Sequence, residues 1–157
     1  KLADLAENFV EIGTRIGRAE QGRQLHQQFN SGLVALRQRY QREQPLRLFY
    51  QVWDAPLYTI GGEQIISDAL RICGAENAFA ELSLPAPQVS VEAVLGRNPE
   101  VILAGTQTQL DAWRVWRGLA AVERNQLWLV PDAGLERPSF QMLGAIERLC
   151  QVLAKAQ

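Results

Sequence analysis

The chain has 157 residues, with 16 basic and 17 acidic side chains and a formal net charge of -1. Apolar residues make up 47% and charged residues 21%, a composition that excludes disordered and fibrous proteins. The near-neutral balance provides no basic field for nucleic acid, and no apolar run approaches the roughly 20 residues of a membrane span. The sequence does not begin with Met, so we expect a piece of a longer protein.

Two helices are predicted before the change in sequence character at Glu43-Gln44-Pro45. In the first, apolar residues recur at helical spacings of three and four and form one stripe: Leu2, Leu5, Phe9, Ile12 and Ile16. The second has a narrow stripe on a mostly polar surface, a pattern typical of a helix that connects two bodies or lies along a surface; the stripe is Leu25, Phe29, Leu33, Leu36 and Tyr40. We therefore expect a helical segment over 1–44 and a separate unit over 45–157.

After Pro45 the pattern alternates between strands and helices. Strands are predicted at 46–53, 101–104 and 127–130. Helices are predicted after Gly61-Gly62, after a cap at Ser90, at 109–116 and from Pro138 onwards. This alternation predicts an α/β, Rossmann-like lobe of three layers with a mostly parallel sheet and right-handed crossovers.

Motifs that carry catalysis are absent from the sequence. It has no glycine-rich phosphate loop and no nucleophile motif, and His26 is predicted to be a surface residue of the second helix. One histidine and two distant cysteines do not make a usual zinc site, so we expect no catalytic residues and no metal. A Rossmann-like enzyme domain is the less favoured alternative.

Two aromatic residues follow the first predicted strand. Ligands of open parallel sheets bind beyond the carboxyl ends of the strands, where Trp53 and Tyr58 are expected to lie. Aromatic side chains there suit a large, partly apolar ligand. Alternatively, the loop packs these rings onto its own domain.

Several short motifs, taken in order, resemble a known family. They are the run 48–62, Cys73-Gly74-Ala75-Glu76-Asn77-Ala78-Phe79, Pro87-Gln88-Val89-Ser90-Val91-Glu92-Ala93-Val94-Leu95, Asn98-Pro99-Glu100-Val101-Ile102, Leu135-Glu136-Arg137-Pro138-Ser139 and Arg148-Leu149-Cys150. Their order and spacing resemble the C-terminal lobe of the cobalamin-binding proteins of bacterial ABC importers. The wider family includes ferric-siderophore and haem binding proteins, in which one long helix joins two α/β lobes.

The resemblance implies a non-catalytic periplasmic protein that captures cobalamin between two lobes and has no cofactor of its own. It identifies the helix near 19–41 as the interlobe helix, with an N-terminal lobe and a signal peptide expected upstream. Tyr58 matches an aromatic residue that faces the corrin ring, and Ala86 stands where close relatives have tryptophan. Trp53, on the same loop as Tyr58, could replace that ring, and Arg137 matches a cleft residue that donates to a corrin amide or phosphate. A ferric-siderophore or haem binding protein is the alternative within the family.

Three further expectations follow from the resemblance. Glu92 matches an acid that docks on arginines of the membrane permease, although the helix dipole alone also favours an acid there. Cys73 and Cys150 match cysteines of the relatives and are expected to form a disulfide, which indicates an oxidising compartment. The apolar stripe of the first helix would pack on the N-terminal lobe, so we expect self-association through residues 1–17 or mobility of that helix.

Overall fold

The computed structural model describes residues 1–15, 19–131 and 142–156. Its α-helices are α1 (Leu2–Arg15), α2 (Ala19–Tyr40), α3 (Ile65–Ile72), α4 (Val91–Arg97), α5 (Gln107–Asp111), α6 (Ala120–Glu123) and α7 (Met142–Ala154). A 3-10 turn, Ala112–Val115, follows α5. The strands are β1 (Leu46–Tyr50), β2 (Trp53–Asp54), β3 (Leu57–Tyr58), β4 (Ala75–Asn77), β5 (Val101–Ala104) and β6 (Leu127–Leu129).

Four parallel strands form the central sheet in the order β4-β1-β5-β6. In the register of β1 and β5, Leu48 lies opposite Val101 and Tyr50 opposite Leu103. The last three residues of β1 are at most 1% exposed, because helices cover both faces of the sheet. The predicted parallel α/β sheet is confirmed.

Each face of the sheet has its own hydrophobic cluster. One face packs against α1, α2, α3 and α7, and the other packs against α4, α5, the 3-10 turn and α6. Alternation along β1 directs Leu48 and Tyr50 into the first cluster and Phe49 into the second. The three-layer, Rossmann-like arrangement is therefore confirmed.

Some element boundaries differ from the sequence prediction. The first strand ends at Tyr50 instead of residue 53, because the chain turns there into the antiparallel hairpin of β2 and β3. Strand β4 and helix α6 were not predicted, since three or four residues are too few for a periodic pattern. The helix predicted at 109–116 begins at Gln107 after the Thr106 cap and ends in the 3-10 turn. The predicted start of the last helix at Pro138 lies outside the described residues.

Helix α1 corrects the expectation of an uncovered apolar face. Leu2, Leu5 and Phe9 are only 5–7% exposed, because they pack with α2 and α3 in the first cluster. Of the described side chains in the stripe, only Ile12 is exposed, and Ile16 lies outside the described residues. Self-association through residues 1–17 therefore loses the exposed stripe on which it was based.

Truncation of Phe9 should destabilise the chain, whereas truncation of Ile12 on the same helix should not. The Phe9 ring meets the edge of the Phe29 ring at a centroid distance of 5.4 Å. Phe9→Ala should lower the free energy of unfolding by about 3 kcal/mol through lost burial and a residual cavity. Ile12→Ala, at an exposed position, should change it by less than about 0.5 kcal/mol. Urea unfolding followed by circular dichroism measures both, and equal effects would contradict the packing of α1 described here.

A disulfide joins Cys73, just after α3, to Cys150 of α7. Both residues are at most 2% exposed and belong to the first cluster. The bond therefore ties two helices of the same layer across a sequence separation of 77 residues. The predicted pairing is confirmed.

Removing this disulfide should have a large effect on stability. A loop of this length contributes about 4 kcal/mol in the chain-entropy model, so Cys73→Ala with Cys150→Ala should lose about that free energy of unfolding. Guanidinium unfolding with and without reductant gives the same comparison on the unmutated chain. Two reactive thiols in the denatured, unreduced protein would contradict the pairing.

Candidate functional site

The carboxyl edge of the sheet carries the predicted ligand residues. Strands β1, β5 and β6 run in the same direction, so the segments that follow Tyr50, Ala104 and Leu129 emerge at this edge. In open parallel sheets, this edge is where ligands bind. The hairpin of β2 and β3, which we call the edge hairpin (residues 51–59), follows β1 directly.

Trp53 and Tyr58 are cross-strand partners in the edge hairpin. They lie directly opposite each other in the antiparallel register, so both side chains project from the same face of the hairpin. The Val52 N–H donates to the Tyr58 carbonyl at 2.9 Å, which closes the hairpin. Trp53 is 56% exposed, and Tyr58 is partly exposed. The sequence prediction placed these residues on one loop, and the structure pairs them across the hairpin.

A second segment, residues 84–89, packs along the edge hairpin. The Thr59 N–H donates to the Pro87 carbonyl at 3.0 Å, and the Val89 N–H donates to the Leu57 carbonyl at 3.0 Å. Ala86 is exposed within this segment, close in sequence to the bridge between Tyr58 and Gln88. Ala86 therefore lies in the segment that packs along the edge hairpin, and its methyl group offers little stacking surface.

Glycines allow this segment to approach the chain before α3. The Gly61 and Gly62 N–H groups donate to the Pro85 and Leu82 carbonyls at 3.2 and 3.0 Å. A Cβ at Gly61 would lie 2.1 Å from the Leu84 carbonyl oxygen, and one at Gly62 would lie 1.8 Å from the Ala80 carbonyl oxygen just before the segment, so no larger residue fits at either position. This close approach fixes the position of the segment relative to the hairpin.

Several exposed apolar side chains belong to segments at the carboxyl edge. Val52, Trp53, Leu84 and Leu129 are each at least 41% exposed, and they come from the edge hairpin, the segment after β4 and the end of β6. Adjacent exposed apolar side chains, such as Val52 and Trp53, are typical of a binding surface. The alternative that the loop aromatics pack onto their own domain is wrong for Trp53.

Glu92 lies in the first turn of α4, beside the same edge. The Ser90 hydroxyl oxygen caps this helix by accepting the Ala93 N–H at 3.0 Å. Helix α4 begins two residues after Val89, which is bonded to the edge hairpin. Glu92 is exposed and forms no ion pair with any other described side chain. Its charge is thus available to a partner beside the carboxyl edge of the sheet.

The other end of α4 holds the first part of the loop after β4. Arg97 donates to the Ala78 carbonyl at 2.6 Å, lies 4.2 Å from the Phe79 ring centroid and pairs with Glu81. The hydrogen bond from Arg97 lowers the pKa of the Glu81 carboxyl. At pH values above the ordinary pKa of glutamate, the Glu81 carboxyl is ionised and the ion pair is intact. The pair is lost as the pH falls through the lowered pKa of Glu81.

Two of the predicted features are not found at this edge. Arg137 lies outside the described residues, and the disulfide lies in the helical layer among α3 and α7. His26, which was predicted to be a surface residue, is partly exposed on α2 and lies 3.4 Å from the Asn30 amide nitrogen.

Across 1–15, 19–131 and 142–156, no group of three or more His, Cys, Asp or Glu could hold a metal ion. None of the helices in these ranges is long and apolar enough to cross a membrane.

Sequence analysis missed Gln51, the first residue after β1. Its side chain is buried and hydrogen-bonded to both Trp113 and the main chain of Trp53. A polar residue after an apolar strand was the only signal in the sequence, and that signal is too common to identify a partner. The two contacts connect residues 62 and two positions apart, so only the fold reveals them.

Comparisons with known proteins identify the family and agree with the overall fold. Residues 1–133 match the family model described as periplasmic binding protein. The vitamin B12-binding protein of Vibrio cholerae is 33% identical over 99% of this chain, and that of Yersinia pestis is 38% identical over 98%. The crystal structure of the periplasmic vitamin B12 binding protein of Vibrio cholerae superposes with a TM-score of 0.86, at 33% identity over the whole chain.

The chain spans only part of these relatives. It covers 58% and 54% of the lengths of the Vibrio cholerae and Yersinia pestis proteins, and 63% of the chain in the crystal structure.

Proposed function

Because the chain belongs to the periplasmic binding protein family, we propose that it captures cobalamin and delivers it to the permease of an ABC importer. It contributes to a ligand-binding protein of the periplasm and does not catalyse a reaction. The relatives that bind vitamin B12 support this ligand over the ferric siderophore or haem alternative.

One observation carries this proposal: the exposed cross-strand pair of Trp53 and Tyr58 at the carboxyl edge. A corrin ring is large, flat and partly apolar, with amide groups around its rim. Two aromatic rings on one face provide flat apolar surface for such a ring, while the polar tips of the indole and phenol remain free to hydrogen-bond. Trp53 then supplies the ring that Ala86 does not.

The edge hairpin provides one wall of a binding cleft. In the proposed protein, residues 45–157 form the ligand-binding lobe, and 1–44 contribute the interlobe helix α2 and the helix before it. A second wall would face Trp53 and Tyr58 from another lobe, and Arg137 is the proposed donor to a corrin amide or phosphate. Because good sites bury most of their ligand, the chain alone should bind cobalamin weakly.

The ligand can be tested directly on the chain by visible-absorbance titration and calorimetry. Cyanocobalamin should bind more tightly than haemin or a ferric hydroxamate. Trp53→Ala and Tyr58→Ala should each weaken binding about tenfold, which corresponds to 1.4 kcal/mol of lost contact.

Trp116 offers a matched control. It is 41% exposed, but it lies near the amino ends of the strands, opposite the carboxyl edge. There the Ala121 N–H donates to the Pro99 carbonyl, just before β5 begins. Trp116→Ala should leave the affinity unchanged. Tighter binding of haemin, or equal affinities for Trp53→Ala and the unmutated chain, would contradict the proposal.

Glu92 should matter for docking and little for ligand capture. Glu92→Arg in the full-length protein would turn attraction to permease arginines into repulsion and should abolish transport. The corrinoid spectrum and affinity should stay the same, because Glu92 is exposed on α4 and not part of the aromatic pair. Glu76→Arg, at another exposed acid, serves as the control for a change of net charge. Normal transport by Glu92→Arg, or loss of its ligand affinity, would contradict this role.

A further inference from the structure

The side chain of Gln51 connects the edge hairpin to the core of the lobe. Gln51 is the first residue after β1, and its own N–H continues the sheet by donating to the Leu103 carbonyl at 2.8 Å. The residue is only 4% exposed. Its amide therefore lies inside the protein, at the point where the chain leaves the sheet for the hairpin.

The amide group makes two hydrogen bonds of opposite polarity. Its oxygen, Oε1, accepts the indole Nε1–H of Trp113 at 2.8 Å. Its nitrogen, Nε2, donates to the main-chain carbonyl of Trp53 at 3.3 Å. An indole can only donate and a carbonyl can only accept, so the connecting side chain must provide both an acceptor and a donor. Glutamine satisfies both partners, whereas an ionised glutamate would set a carboxylate oxygen against the Trp53 carbonyl.

Trp113 is a fixed anchor for this connection. It is 4% exposed, and its ring meets the Phe49 ring at a centroid distance of 5.7 Å and an interplanar angle of 75°. Phe49 is fully buried in β1. The Trp53 main chain is thereby linked through Gln51 and Trp113 to the central strand.

The other strand of the hairpin is held by different contacts. On the Tyr58 side, the Val89 N–H donates to the Leu57 carbonyl, and the Thr59 hydroxyl donates to the Tyr50 carbonyl at 2.7 Å. Tyr58 is thus positioned by neighbouring main chain, whereas the Trp53 strand is held by its pairing with the Tyr58 strand and by the Gln51 amide, which adds a direct link to the core.

We propose that Gln51 is a positioning residue, which holds Trp53 opposite Tyr58 without touching the ligand. This inference rests on the proposed function. Fixing the main chain that carries the ring before the ligand arrives removes part of the ordering cost of binding. Gln51 therefore acts on affinity through Trp53, and its effect should vanish when the Trp53 ring is absent.

The first test needs no ligand and uses ¹⁵N NMR of the chain. Gln51→Met keeps the side-chain length but removes both hydrogen bonds. It should shift the Trp113 indole resonance, speed its hydrogen exchange and lower the order parameters of amides 52–55. The matched control is Gln126→Met. The Gln126 Oε1 accepts the Trp128 indole N–H at the same 2.8 Å, with Trp128 in β6 and Gln126 just before that strand. The control should change Trp128 alone.

The second test measures cyanocobalamin affinity by calorimetry. Gln51→Met should weaken binding about three- to tenfold, and Gln126→Met should not. Gln51→Met combined with Trp53→Ala should bind no more weakly than Trp53→Ala alone. Should Gln51→Met fail to fold, Gln51→Asn provides the same comparison, because its shorter amide cannot reach both partners.

Two results would overturn the positioning role. One is an edge hairpin that is as ordered in Gln51→Met as in the unmutated chain, and the other is an equal loss of affinity with and without the Trp53 ring. If the unmutated chain binds no corrinoid at all, the proposed function fails, and the ligand-free NMR comparison decides the role of Gln51 alone.

Discussion

Strand β1 is covered by helices on both faces, and this constraint sets where the edge hairpin emerges from the sheet. Its last three residues are at most 1% exposed and contribute to both hydrophobic clusters. The chain leaves this buried environment at the carboxyl edge of the sheet, after Tyr50. The edge hairpin begins there. Hydrogen bonds of the Gln51 side chain and of Thr59 hold it in position on the core. A rigid sheet thus presents an exposed aromatic pair, the arrangement that a preorganised binding site needs.

The helical layer on one face serves a different purpose from the loops at the edge. Helices α1 and α2 pack on α3 and α7 through buried residues such as Phe9, Phe29 and Leu36. The disulfide between Cys73 and Cys150 lies within this layer and restricts the unfolded chain. A long helix held firmly on one lobe can fix the position of a second body, which agrees with the interlobe role proposed for α2.

Periodicity was sufficient to predict the fold, because long apolar patterns report burial. The parallel strands β1, β5 and β6, the helix after Gly61-Gly62 and the Ser90 cap were all predicted. Strand β4 was missed, since Ala75–Asn77 is short and becomes a strand only by pairing with β1. The prediction that the apolar stripe on α1 is uncovered was wrong for a related reason. A stripe shows that a face is buried but does not identify what covers it.

The candidate site was only partly predictable. Trp53 and Tyr58 could be placed on one loop, but their direct pairing depends on a hairpin that the sequence pattern does not show. Gln51 could not be found, because its partner Trp113 is 62 residues away in the sequence. The roles of Ala86, Glu92 and Arg137 came from family resemblance, and they remain predictions.

Mapping the ligand surface by NMR tests the central claim most directly. Cyanocobalamin added at millimolar concentration to the ¹⁵N-labelled chain should shift the amides of residues 51–59 and 84–89 and the indole of Trp53, with little change in α1 or α7. Such shifts would place the ligand at the carboxyl edge of the sheet even if binding is weak. Shifts centred on residues 115–119 at the other edge, or no shifts at all, would contradict the account.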